Sequence, residues 1–174
     1  MSKKIISKSE FLDLNIQSAQ DMSRDGNLNK KAKNILADAD KYRWLHQTTW
    51  LGEPIINLPQ DMFAIQEIIW KTKPEYIIEV GVAWGGSILF ESMLLDYVGG
   101  ESIIGIDIFM PDDLIKRLKS HKRLFKKIKL INASSIEMET IDKIKSIIKG
   151  SKKVLVVLDS HHTEEHVMKE LELY

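Results

Sequence analysis

Hydrophobic and polar positions change rhythm near Pro74. Before it, apolar residues recur at mixed three- and four-residue spacing over about Ser9–Ala19 and about Lys31–Trp44, which predicts helices. Between them SRDGNLN (Ser23–Asn29) is rich in turn formers and reads as a loop. Gly52, Pro54 and Pro59 break WLGEPIINLPQD (Trp50–Asp61) into a structured connection rather than a helix. Asp61 is placed to cap a helix through about Lys71, with Ile65, Ile68 and Ile69 on its apolar face.

After Pro74, short apolar runs alternate with helical stretches. Strands are expected at Tyr76–Val80, Ser102–Ile108, Ile128–Asn132 and Lys153–Ser160. Helices are expected at Ser87 to about Tyr97, at the lysine-rich Asp112–Lys127, at Thr140–Ile148 ended by Gly150, and from Thr163 onward. Such alternation implies right-handed crossovers and a parallel sheet, an α/β fold. Val154–Leu158 is apolar at every position, as suits a strand covered on both faces. The chain is therefore read as an N-terminal helical segment and lid, residues 1–73, and a Rossmann-like domain, residues 74–174.

The 174 residues suffice for one domain with a real core. Lys+Arg and Asp+Glu number 25 each, so there is no basic excess to hold a polyanion, and no nucleic-acid partner is expected. The absence of cysteine excludes disulfides, cysteine zinc sites and thiol nucleophiles. The start, MSKKIISKSEFLDL, has no sustained apolar region after its lysines, and no apolar run is long enough to span a bilayer. No signal peptide or membrane partner is expected, and a cytoplasmic location follows.

The chemistry concentrates in IIEVGVAWGGS (Ile77–Ser87). An open parallel sheet binds ligands beyond the carboxyl ends of its strands. Glycines there permit a sharp turn and a close approach of ligand to backbone, and the next helix offers free N–H groups. The spacing Gly81-x-x-x-Gly85-Gly86 is not G-x-G-x-x-G and lacks a phosphate-binding lysine, so neither a dinucleotide nor a nucleoside triphosphate fits. Asp107 ends the second strand, 26 residues after Gly81, where an acid suits a ribose diol. The pattern suggests an adenosine-containing ligand without a pyrophosphate. An ordinary tight strand–turn–helix would also carry these glycines.

Taken together, WLGEPIINLPQD, QEIIW, KPEYIIEVGVAWGGS, IIGIDI, INASS and LDSHHTEEHVMKELELY resemble the class I S-adenosylmethionine-dependent methyltransferases. More narrowly they resemble the cephalosporin hydroxylase family, which includes rhamnosyl O-methyltransferases. The likeness runs from about Trp50 to Tyr174. It implies a sheet ordered 3-2-1-4 in strand number, with the family's strands 5–7 expected to be missing. It implies cofactor-binding roles for Glu79, Gly81, Ala83, Gly85 and Ser87 around the methionine part. Asp107 would hold the ribose, and Ala133 and Ser134 would lie beside the adenine. Asp159 matches an acid that helps bind a divalent metal such as Mg²⁺, and His162 is placed near the cofactor. Ala83 stands where the family has glycine. His161 stands where LDSDHT or LDSNHT is the commoner wording, and brings a chargeable side chain there. Asp159 and His161 are the implied catalytic pair.

The resemblance thus implies an O-methyltransferase acting on a hydroxyl of a sugar or small natural product. A cation can lower the pKa of that hydroxyl, or a histidine can take its proton. A non-catalytic cofactor-binding partner of a hydroxylase or methyltransferase complex is the alternative. A metal hydrolase built on His162 and His166 is remote, because H-T-E-E-H is not H-E-x-x-H. His166 reads as a packed or surface helix residue, and Lys116–Lys129 as a solvated basic face. The fourth strand would lie at a sheet edge, so a truncated chain or a homo-oligomer paired across that edge is expected.

Overall fold

The structure, a computed structural model, describes residues 6–174. It divides after Trp44. The first unit holds α1 (Lys8–Arg24) and α2 (Gly26–Asp40). A capping box starts α1: the Ser7 hydroxyl accepts from the Glu10 N–H at 3.2 Å, and the Glu10 carboxylate accepts from the Ser7 N–H at 2.7 Å. The loop expected at Ser23–Asn29 shrinks to Asp25 alone. Its backbone N–H closes α1 on Met22, and its carboxylate accepts from the Leu28 N–H at 2.9 Å to open α2. One residue therefore caps two helices, and the glycine and asparagines that signalled a loop enter the first turn of α2 instead. Neither helix buries a single residue.

The second unit begins with a hairpin. Strands β1 (Thr48–Trp50) and β2 (Glu53–Ile55) pair antiparallel, joined by Leu51 and Gly52, both at positive φ. Two residues in that conformation make the tight turn whose twist matches the strands. Helix α3 (Pro59–Thr72) starts two residues before Asp61, because Pro59 supplies a ready-made first turn. Asp61 then sits in that turn, where an acid suits the helix dipole.

The remaining elements are β3 (Tyr76–Val80), α4 (Gly86–Val98), β4 (Ser102–Asp107), α5 (Asp112–Ser120), α6 (Lys122–Phe125), β5 (Ile128–Asn132), α7 (Met138–Ile148), β6 (Val154–Leu158) and α8 (Glu164–Leu173). The single helix expected over Asp112–Lys127 breaks at His121, whose backbone leaves the helical region. The four strands pair in parallel in the order β5-β4-β3-β6, which is 3-2-1-4 in the numbering implied by the resemblance. A parallel sheet with helices on both faces makes this an α/β, Rossmann-like fold.

Alternation along β3 and β4 separates two cores. Ile77 and Ile103 face Leu89, Leu95, Leu114 and Ile69. Ile78, Val80, Ile104 and Ile106 face Ile141 and Ile144 of α7. Residues 45–73, grouped above with the N-terminal helices, pack on the sheet: Ile69 is fully buried in the first core, and a Cβ on Gly86 would overlap the Pro54 carbonyl. Strand β6 departs from the fully covered strand its apolar run suggested. It is outermost in the described sheet, and each of its five residues is only half-buried.

Candidate functional site

The carboxyl ends of the four strands open on a cavity of about 290 Å³. One wall is the glycine turn. Gly81 has φ +98°, and an added Cβ would run into the Asp159 carbonyl. Its N–H donates to the Ile106 carbonyl at 2.8 Å, which stitches the turn to β4. Only glycine fits both demands. Ala83 has φ +45°, a left-handed conformation that a Cβ disfavours. Gly85 also has positive φ, but the space beside it is filled by the side chains of Leu114 and Leu118, so it serves packing.

Asp107 holds this wall in shape. One carboxylate oxygen accepts from the N–H groups of Val82 and Ala83, each at 3.0 Å, and the other accepts from the Phe109 N–H at 2.9 Å. The carboxylate is part-exposed in the cavity and retains lone pairs for further donors. Ala133 and Ser134, after β5, complete this side.

Glu79 does not reach the cavity wall. It is buried, accepts from the Ser87 hydroxyl, and leaves Oε2 without a partner among the described residues. Burial pushes its carboxyl well above the usual range, and the negative charges of Glu91, Asp159 and Asp107 add to that. Glu91 of α4 is equally buried with an unpartnered Oε2, and burial followed by the Asp159 charge raises it to about 8. Both carboxyls are thus held toward their protonated forms.

The opposite wall comes from the ends of β5 and β6 and from α8. Asp159 is half-exposed, raised by burial and lowered by His162, whose Nε2 lies 3.5 Å from Oδ1. His162 itself is largely exposed and does not line the cavity, whereas His161 does. The ring nitrogens of His161 make no hydrogen bond among the described residues, and its ring stands edge-on to His166 at 5.4 Å. Behind them Glu170 is buried, and its Oε1 accepts from the hydroxyls of Ser135 and Ser160, each at 2.6 Å. His166 Nε2 lies 3.1 Å from the same oxygen and 3.2 Å from Ser135 Oγ. The Tyr174 hydroxyl donates to the Ser135 carbonyl at 2.9 Å, and its own pKa is raised, first by burial and then by the Glu170 charge. A Ser–His–acid relay needs the acid on the far ring nitrogen. Here serine and acid meet on the same nitrogen, so the cluster locks α8 to the loop after β5 instead of activating Ser135.

The family model for rhamnosyl O-methyltransferase/CmcI matches residues 42–174. The chain belongs to this family. Within the rhamnosyl O-methyltransferase/CmcI family it is 30% identical to a Rhamnosyl O-methyltransferase of Mycobacterium leprae (strain TN) over 127 residues, 72% of this chain and 53% of that protein. It is 27% identical to a Rhamnosyl O-methyltransferase of Mycobacterium bovis (strain BCG / Pasteur 1173P2) over 130 residues, 73% and 51% of the two. The chain thus spans about half the length of the curated relatives it matches. A solved apo structure of CmcI superposes with a TM-score of 0.54 at 20% identity, over 71% of this chain and 50% of that one, a likeness of fold.

Of the residues singled out from the sequence, Gly81, Ala83, Asp107, Ala133, Ser134, Asp159 and His161 line one cavity. Glu79, Gly85, Ser87 and His162 lie outside its lining. Four contributors were missed. Glu91 was legible as a lone acid inside ILFESMLL. Glu170 stands four residues after His166, a helical pair. Glu53 and Arg117, which form a part-buried ion pair, had no local signal; Arg117 also donates to the Trp84 carbonyl at 3.3 Å and so steadies the turn from α5. The Trp84 ring itself is mostly exposed.

Proposed function

We propose that the chain is an S-adenosylmethionine-dependent O-methyltransferase acting on a hydroxyl of a sugar or small natural product. The observation that carries this reading is the meeting of the Gly81 turn, the Asp107 carboxylate and the Ala133–Ser134 loop on one cavity with no phosphate-binding lysine. The close backbone at Gly81 and Ala83 suits the methionine part, with Glu79, Ser87 and Gly85 shaping the turn behind it. Asp107 suits the ribose diol, and Ala133 and Ser134 the base. The bound cofactor supplies an activated methyl on a sulfonium. The residues then have two tasks: to align the acceptor oxygen, and to take its proton. His161 is the candidate base, since it faces the cavity with unengaged ring nitrogens, and Asp159 with His162 flanks it. The names of the relatives favour a saccharide acceptor. A cytoplasmic place of action and a homo-oligomeric state, without nucleic-acid or membrane partners, belong to the same reading.

Asp159 is the candidate ligand for Mg²⁺ or a similar cation. Among the described residues, however, no three histidine or acidic side chains converge to hold a metal ion. These residues do not by themselves form a metal centre, and no step is assigned to one. The same observation favours a second reading, cofactor binding without turnover. Calorimetry with S-adenosylmethionine tests the first claim: Asp107→Ala is expected to weaken binding by about 1.5–3 kcal/mol, the scale of a charge-assisted hydrogen bond. Unchanged affinity in a folded variant would move the site elsewhere. A methyl-release assay over a panel of rhamnosides and other sugars then separates the readings: product supports the enzyme, and binding without product supports the second.

A further inference from the structure

Helices α1 and α2 present an energetic problem of their own. They run for 17 and 15 residues, yet bury nothing. Phe11, Leu14 and Ile16 of α1 and Leu28, Ile35 and Leu36 of α2 are all exposed, Ile35 to 61%. Helices of this length are marginal in water unless an apolar face is packed. The family match begins at residue 42, so these helices belong to no part of the chain that the family accounts for.

The pattern on α2 specifies what would cover it. Leu28, Ala32, Ile35 and Ala39 follow at spacings of four, three and four, which places them along one seam. Leu36 widens the seam. Lys31 and Asp38, seven residues apart, stand on one flank of it. Neither forms an ion pair among the described residues. The N-terminal half of α2 carries Lys30, Lys31 and Lys33, and the C-terminal half carries Asp38 and Asp40.

We propose that α2 is a self-association element that packs antiparallel on the α2 of a second copy. A two-fold axis between Asn34 and Ile35 brings the same flank of each helix together. Lys31 then faces Asp38 of the second copy, and the reciprocal pair forms on the other side of the axis. The lysine half of each helix lies along the aspartate half of its mate. A parallel, in-register pair would instead set lysines level with lysines and aspartates level with aspartates, which is repulsive. Ala32 and Ala39 allow the backbones to approach, and Leu28 and Ile35 fill the seam over about 22 Å of helix. The apolar residues of α1 extend the buried area, since a single helix pair covers less than a standard interface. The edge of β6 also points to self-association, but it carries no charge pattern that would choose a partner. The α2 surface does.

Sedimentation velocity of the 174-residue chain and its variants tests this. The chain should be dimeric at micromolar concentration, and Ile35→Asp should make it monomeric. Lys31→Asp and Asp38→Lys should each weaken the dimer about tenfold or more at low salt, because each sets two like-charged pairs across the axis. The double variant K31D/D38K should restore it, since the pairs re-form with exchanged signs. All three positions are exposed, so the sheet domain should keep its near-ultraviolet circular dichroism. A wild-type chain that stays monomeric at hundreds of micromolar would overturn the proposal. So would a dimer indifferent to Ile35→Asp, which would move the contact to another surface such as β6, or a double variant no better than the singles.

Discussion

Behind the glycine turn, outside the cavity lining, the buried carboxyls Glu79 and Glu91 each have an oxygen with no donor among the described residues, and both are pushed upward in pKa. Behind the histidine wall, Glu170 is just as buried, yet two serine hydroxyls and a histidine converge on its Oε1, although its Oε2 also lacks a partner. An acid taken out of water needs either a proton or donors. Behind the glycine turn the carboxyls are held toward their protonated forms, because the backbone N–H groups there are committed to Asp107 and to the sheet. The histidine wall uses side-chain donors from three separate elements. The first arrangement is compact and pH-sensitive. The second is a clasp that depends on tertiary assembly.

The strongest way to break the comparison is to remove the clasp. Glu170→Ala strands two hydroxyls and the His166 ring in a buried site, and is expected to destabilise the fold by about 3–5 kcal/mol. Urea unfolding followed by tryptophan fluorescence would measure it. A loss below about 1 kcal/mol would mean that the clasp is a surface decoration.

Glu91→Gln sharpens the contrast behind the glycine turn. A carboxyl at about 8 in the fold and 4.5 when unfolded binds an extra proton only in the folded state. Its stabilising contribution is complete below the unfolded value and is lost as pH rises through about 8. The wild type should therefore weaken across that window, by an amount on the order of a few kcal/mol. The neutral amide should flatten much of the slope and leave the residue due to Glu79, which shifts in the same direction. Denaturation midpoints at a series of pH values would show it, and parallel curves for both proteins would disprove a protonated Glu91.

The smallest effect tests local strain. Ala83→Gly relieves the left-handed conformation at φ +45°, and is expected to raise stability by about 1 kcal/mol. Thermal unfolding would detect it as an increase in Tm, whereas a decrease would mean that the Ala83 methyl makes contacts worth more than the strain.

What could be read without coordinates follows from periodicity and from spacing. The short continuous apolar runs alternating with helical stretches after Pro74 announced a parallel sheet, because a doubly covered strand and an amphipathic helix have different rhythms. The glycine turn and Asp107 were legible because backbone geometry at a strand end admits few residue types. The β1–β2 hairpin was not, since its strands are three residues long and its turn is Leu51–Gly52, a pair with little sequence signal. The break at His121 and the single-residue link at Asp25 were hidden for a related reason: caps are chosen locally, between competing helices of similar propensity.

The sequence by itself determined the α/β class, the place of the glycine turn, and the acid that closes it, because these depend on residues close together in the chain or on the regular repeat of strand and helix. Tertiary structure alone decided which acids are buried and what satisfies them. Ser135 and Glu170 are 35 residues apart, and Glu53 and Arg117 are 64 apart. A glutamate in a helix has the same letters around it whether it faces water or a core. Only the packing of α8 over the loop after β5, and of α4 against β3, removes the water, and the loss of water is what turns an ordinary carboxyl into a proton holder or the centre of a clasp.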